Sequence, residues 1–170
     1  IDSFELTLQD DAGSGDGGTG DSGTAPVTQG ANATIGVGVT EAEDLSLANG
    51  YYIEGTSLVD SQAMIRVDDG TGTAAGTFEG ASGTYWMDVA WLNQPNGASL
   101  FEVLVNGQVV HSWSGTGGGQ KPPPREIERF AVTLETGDTV TLRGGRDDTE
   151  RAKIDSFELT LQDDAGSGDG

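Results

Sequence analysis

Two glutamates two residues apart, Glu41 and Glu43, interrupt an apolar run in which Ile35, Val37, Val39, Leu45 and Leu47 recur at every second position. If that run is one continuous strand, all of these side chains share a face and both carboxylates point into an oily stripe. Asp155 repeats the anomaly towards the other end, in phase with Phe157, Leu159 and Leu161. Unpaired carboxylates so placed cost on the order of a few kcal/mol each, so they must protonate, leave the core at a bend or share a counter-charge. No basic residue adjoins the glutamate pair in sequence. One Ca2+ resolves the three anomalies together, because it takes about 6 to 8 oxygen ligands and carboxylates two residues apart on one strand face can both reach it. Glu41, Glu43 and Asp155 are therefore the expected side-chain ligands, with the first and last strands as neighbours. The competing reading is a strand break near Thr40 that turns both glutamates to solvent.

The other residues that could do chemistry point away from catalysis. His111 is the sole histidine and lies beside Ser112 with no acid in local register, which argues against a nucleophilic triad. Cysteine is absent, so there is no disulfide framework, thiolate nucleophile or Cys-based zinc site. The glycine pattern Gly18, Gly20, Gly23 matches a dinucleotide fingerprint, but no helix follows and the nearby carboxylates would repel a pyrophosphate.

The elements that must position the carboxylates read as strands. Ala63, Ile65 and Val67 alternate, as do Tyr85, Met87, Val89 and Trp91, then Phe101, Val103 and Val105. Asn106-Gly107 is a two-residue hairpin signal leading into Val109 and its neighbours. Phe130, Val132 and Leu134 follow, then a turn at Thr136-Gly137-Asp138, Val140 and Leu142, and the closing Phe157, Leu159 and Leu161. The Pro122-Pro123-Pro124 run cannot enter a central strand, so Gly115 to Arg125 is expected to be an exposed, stiffened loop. Eight to ten short strands with glycine-rich turns and no helical periodicity predict an all-β, antiparallel two-sheet sandwich, a jelly roll.

At the scale of the chain, Ile1 to Gly17 recurs letter for letter as Ile154 to Gly170. The simplest account is a tandem array in which the first copy is the tail strand of a preceding unit. The expected organisation is a tail strand over 1–9, a Gly/Asp/Ser-rich linker over 10–32, the sandwich over 33–162 and the start of a further linker over 163–170. The opening residues lack the basic and apolar regions of a signal peptide, so the sequence reads as an excerpt. The balance of 28 Asp+Glu against 8 Lys+Arg, a formal charge of −20, excludes polyanion partners: no nucleic acid and no anionic membrane surface. No apolar run is long enough for a spanning helix, and the carboxylate excess suits an extracellular, saline or calcium-rich medium.

Glu41-Ala42-Glu43-Asp44 at the opening and Ile154-Asp155-Ser156-Phe157-Glu158-Leu159 at the close resemble the corresponding segments of family 6 and family 35 carbohydrate-binding modules. The resemblance runs from about Val39 to Leu161. It takes in Tyr85-Trp86-Met87-Asp88-Val89, Phe101 to Gly107, and Thr139-Val140-Thr141-Leu142 before an acidic loop. It implies a jelly roll with a structural calcium held by the Glu-x-Glu pair and the closing aspartate. In similar modules sugars stack on aromatics in loops at one end of the sandwich, with polar and acidic side chains taking the hydroxyls.

On that basis Trp113, where a strand runs into the Gly/Pro-rich loop, is the expected anchor; the competing reading is a core tryptophan in phase with Val109. Asn93, Gln94 and Asn96 after Trp91, and Arg146, Asp147, Asp148 and Glu150 before the last strand, are the expected sugar contacts. Ordinary turn chemistry and a solvated charged loop account for them equally well. A second calcium at Asp147 and Asp148 is a further expectation. Tyr51 and Tyr52 are weaker candidates, since one of them must face the core. Two functions follow. One is a non-catalytic, calcium-stabilised module that binds polysaccharide. The other is a structural repeat of an adhesin or fibre, in which Ile1 to Leu8 could pair with a sheet edge of a neighbouring copy.

Overall fold

Glycine placement decides how the chain enters its fold. The computed structural model describes residues 33–59, 61–117, 120–147 and 150–162. The repeat copy at 1–17, the linker and the tail fall outside them. The first strand, β1 (Thr34–Ile35), pairs with one sheet, and β2 (Gly38–Glu41) pairs with the other. At the start of β2, Gly38 has φ +99°, a backbone conformation that suits glycine. The chain then makes a 3-10 turn (Ala42–Asp44) and returns to the first sheet as β3 (Ser46–Ala48). The continuous strand expected over 35–47 is therefore wrong: the period-two pattern spans two sheets and a turn. Ile35 is buried, while Val37 and Val39 are more than half exposed, at 57% and 64%.

Nine further strands follow: β4 (Tyr51–Gly55), β5 (Ala63–Val67), β6 (Thr71–Phe78), β7 (Gly83–Leu92), β8 (Leu100–Val105), β9 (Gln108–Ser114), β10 (Arg125–Leu134), β11 (Thr139–Gly145) and β12 (Lys153–Leu161). One sheet runs β1-β6-β11-β8-β9 with β3 also on β6; the other runs β10-β7-β12-β5-β4 with β2 also on β12. Apart from the parallel β1–β6 pair, every pairing is antiparallel. The chain is a jelly-roll β-sandwich. The alternating runs predicted from Ala63 onward become strands, and Tyr85, Met87, Val89, Trp91, Phe101, Val103, Val132, Leu134, Phe157 and Leu159 meet in one core between the sheets.

Strand β6 escaped the sequence reading because, of its inward positions, Gly72, Ala74 and Gly76 carry almost no side chain and only Phe78 at its end is large. Two large side chains from elsewhere fill the space. A Cβ on Gly72 would lie 2.7 Å from the Tyr51 ring, and one on Gly76 2.9 Å from Ile35. Tyr51 is thus the core-facing member of its pair. Tyr52 instead lies under the Arg66 guanidinium, 4.7 Å from the ring centre, and donates to Asp68 at 2.6 Å.

Candidate functional site

Strand β12 is central, bonded to β7 on one side and to β5 and β2 on the other, and its register slips at Asp155. Ile154 faces Trp91 and Ser156 faces Ala90, so Asp155 is the extra residue of a β-bulge. The bulge explains how Ile154 and Phe157, an odd number of residues apart, both enter the core. It also removes Asp155 from the apolar phase that the sequence suggested and aims its carboxylate at a groove on the outer face of the sheet. That groove, of about 370 Å3, is walled by β2 (Val39, Glu41), β10 (Arg125, Ile127) and the outward side chains of β7 and β12 (Asp88, Glu158).

Asp155 is only 3% exposed and has a cationic partner: Arg125 Nε donates to its Oδ2 at 2.8 Å. Ser61 Oγ donates to its Oδ1 at 3.3 Å. Sequence proximity hid this arginine, which was expected in a loop but opens β10, facing Leu92 of β7. The counter-charge comes from across the sheet.

The 3-10 turn sets Glu41 and Glu43 beside this centre. Neither reaches full solvent, as the strand-break reading required, and neither is sealed in the core; both are half-buried. Burial pushes the Glu41 carboxyl above its ordinary value of 4.5, with Glu43, Asp155 and Asp44 adding to the rise and Arg125 opposing it. Burial likewise raises Glu43; Asp44 and Asp155 add to the rise, while its own backbone N–H and the Ser61 hydroxyl pull it down. Glu43 Oε2 is buried without a hydrogen-bond partner. No three carboxylate, histidine or cysteine side chains among the described residues form a ready-made metal cluster. Even so, an orphaned acceptor beside further hard oxygen donors fits a calcium ion in its chemistry.

The loops expected to hold ligand gather at the end of the sandwich where β7, β9 and β11 finish and β8, β10 and β12 begin. Most of them are internal struts. Asn93, 5% exposed, donates to Thr116 Oγ1 at 2.8 Å and to Glu126 Oε1 at 2.9 Å, and accepts from Thr116 N. Asp147 accepts from Ala98 N at 2.8 Å, and Glu150, also 5% exposed, accepts from Asn96 N at 2.9 Å. Gln94 is half-buried with its Nε2 enclosed, whereas Asn96 and Arg146 are exposed, the latter donating to Asp68 O at 2.7 Å. Asp148 lies outside the described residues.

Trp113 packs on the core. Its ring stacks on Phe101 at 5.2 Å and 11°, meets Trp91 edge-on, and buries Nε1. His111 stacks on Phe130 and finds an acid after all, Glu128 Oε1 at 2.8 Å, donated by the opposite sheet. Ser112, its neighbour on the strand, points the other way.

An aromatic side chain that the sequence reading passed over does reach the surface. Trp86 is 41% exposed on the outer face of the groove's sheet. The Arg129 guanidinium lies 6.0 Å from its ring centre and forks onto Asp88 at 2.6 and 2.5 Å. The signal was present, since Trp86 is out of phase with Tyr85 and Met87.

No family model matches the chain. An α-glucuronidase of Hypocrea jecorina is 27% identical over 136 residues, covering 72% of this chain and 16% of the enzyme. A family 36 carbohydrate-binding module solved with calcium and xylotriose superposes with TM-score 0.57 at 18% identity, covering 73% of this chain and 100% of the module. A family 35 module from an environmental isolate gives TM-score 0.59 at 14% identity, covering 73% and 93%. The exo-β-1,3-galactanase of Phanerochaete chrysosporium, solved with galactose, gives 0.57 at 16% identity, covering 72% of this chain and 29% of the enzyme. The chain thus spans a minor part of both enzymes. At these identities the likeness is one of architecture: the chain folds as the family 35 and family 36 carbohydrate-binding modules fold.

Proposed function

We propose that the chain is a non-catalytic carbohydrate-binding module that works outside the cell and takes a neutral polysaccharide along the groove of the β10-β7-β12 sheet. The groove is the observation that carries this reading. It is open at the surface, and it sets apolar Val39, Ala90 and Ile127 among the hydrogen-bonding groups of Glu41, Asp88, Arg125 and Glu158. That mixture suits a sugar, whose C–H faces pack on apolar surface while its hydroxyls need fixed partners. A charge of −20 disfavours acidic polysaccharides. The xylotriose and galactose in the titles of similar structures make xylan and β-1,3-galactan the first probes.

Calcium belongs to the same proposal. Glu41, Glu43 and Asp155 would hold it, and it would supply a divalent charge that clamps the opening turn to the closing strand. Affinity electrophoresis in gels containing each polysaccharide, with calcium or chelator, tests the reading. Retardation is expected for the parent chain and loss of retardation for Ile127→Asp, while Asn96→Ala and Arg146→Ala at the loop end stay retarded. Loss in the loop variants alone would move the site to the loops, and no retardation on any neutral glycan would end the carbohydrate reading.

A further inference from the structure

On the outer face of the groove's sheet the side chains stand in rows that cross the strands, set by the pairing of β7 with β10 and β12. Ile127, Ala90 and Ser156 form one row, and Arg129, Asp88 and Glu158 the next. The third row is Ala131, Trp86 and Thr160, which continues the floor of the groove beyond Asp88 and Glu158. Both neighbours of the indole in that row are small and exposed, so neither screens it. A tryptophan turned to water contributes less to folding than an inward one such as Trp91, because less apolar surface leaves the solvent. The Arg129 guanidinium, 6.0 Å from the Trp86 ring centre, is fixed by its two bonds to Asp88, which places a planar group of N–H donors beside the ring.

We propose, on the carbohydrate reading above, that Trp86 is the far stacking platform of the groove and that a neutral polysaccharide lies along β7, with one unit over Ile127 and Ala90 and a later unit on the indole. From Ala90 to Trp86 is four strand positions, about 14 Å, which is longer than a single sugar ring, so the two contacts fall on different units of one chain. The apolar C–H face of a pyranose packs on the ring, and its rim hydroxyls meet the Arg129–Asp88 pair and the Thr160 hydroxyl. Charge selects the neutral unit. Glu41, Asp88, Asp155 and Glu158 stand along this face against Arg125 and Arg129, so a uronate would meet more acids than bases.

Calorimetric titration of the full chain, with calcium present, tests this, using the hexasaccharides of xylan and of β-1,3-galactan as probes. Trp86→Ala is expected to weaken the hexasaccharide that the parent binds by at least about tenfold, and Trp86→Phe, which keeps an aromatic face, to recover most of that loss. A second readout is taken on the parent itself. In its proton–nitrogen correlation spectrum the Trp86 indole N–H, assigned by its absence from Trp86→Phe, should move when hexasaccharide is added. The signals of Trp91 and Trp113, whose Nε1 atoms are buried, should stay in place. A parent that binds hexasaccharide with an unmoved Trp86 signal and with the same affinity as Trp86→Ala overturns the platform while leaving carbohydrate binding intact. A parent that binds neither hexasaccharide overturns both.

Discussion

A carboxylate kept partly out of water beside other carboxylates holds its proton more tightly than it would in an open chain, and this is the state of Glu41 and Glu43. The sign of the linkage follows. Their folded values lie above 4.5, so between 4.5 and those values the native state binds more protons than the unfolded state, and stability falls as pH rises. In chelator, the contribution of this pair should therefore improve as pH drops from neutral towards 4.5 and level off below it. Glu43→Gln, which mimics the protonated form, should raise the calcium-free stability at pH 7 by roughly 1 kcal/mol, the lower range for relieving an unpaired buried acceptor. The same change should flatten the pH dependence and abolish stabilisation by calcium. Urea midpoints at pH 5 and pH 7, in chelator and in calcium, measure all three. A variant less stable than the parent in chelator would mean that Glu43 is already satisfied.

Among the elements, the glycine-floored part of the β6-β11 surface is the tightest fit. A Cβ on Gly144 would overlap the Tyr51 hydroxyl and lie 2.7 Å from the Ala152 Cβ, with no flexible neighbour able to yield. Gly144→Ala should cost about 1 to 3 kcal/mol as overpacking, read as a lowered melting temperature. Tyr51→Phe should be neutral or slightly stabilising, because that hydroxyl is buried without a partner, and it should recover part of the Gly144→Ala loss. These elements also show where sequence reasoning reaches its limit. Alternation located β5, β7, β8, β10, β11 and β12, because each carries large apolar residues at every second position. It missed β6, whose inward residues before Phe78 are glycine and alanine, and it fused β1, β2 and β3, because a pattern of types does not register that the chain changes sheets at Gly38. The acidic centre was legible as an anomaly of phase. Its arginine was not, because Arg125 meets Asp155 only through the pairing of β10, β7 and β12.

For the whole molecule, charge is the dominant long-range fact. Among the described residues, Arg66, Arg125, Arg129, Arg143, Arg151 and Lys153 are engaged with carboxylates. The remaining acids repel one another across a sandwich that stays compact against that pressure. Of these pairs Arg151–Asp68 alone is exposed on both sides, and the others have a partly buried partner that salt screens less, so screening should relieve more repulsion than it removes attraction. Raising sodium chloride from about 0.01 to 0.5 M should lift the melting temperature by roughly 3 to 5 °C, the shift expected for about 1 kcal/mol in a domain of this size. A fall with added salt would show that the ion pairs outweigh the repulsion.

The graded exposure of the three tryptophans gives the protein a built-in optical gauge. Trp91 is 3% exposed, Trp113 is half-buried against Phe101, and Trp86 is 41% exposed beside the groove. A dissolved quencher such as acrylamide reaches the outermost indole first and dims the red edge of the emission, while the blue edge persists until the sandwich opens. Occupancy of the groove and integrity of the core can thus be followed separately, in one cuvette, without a label.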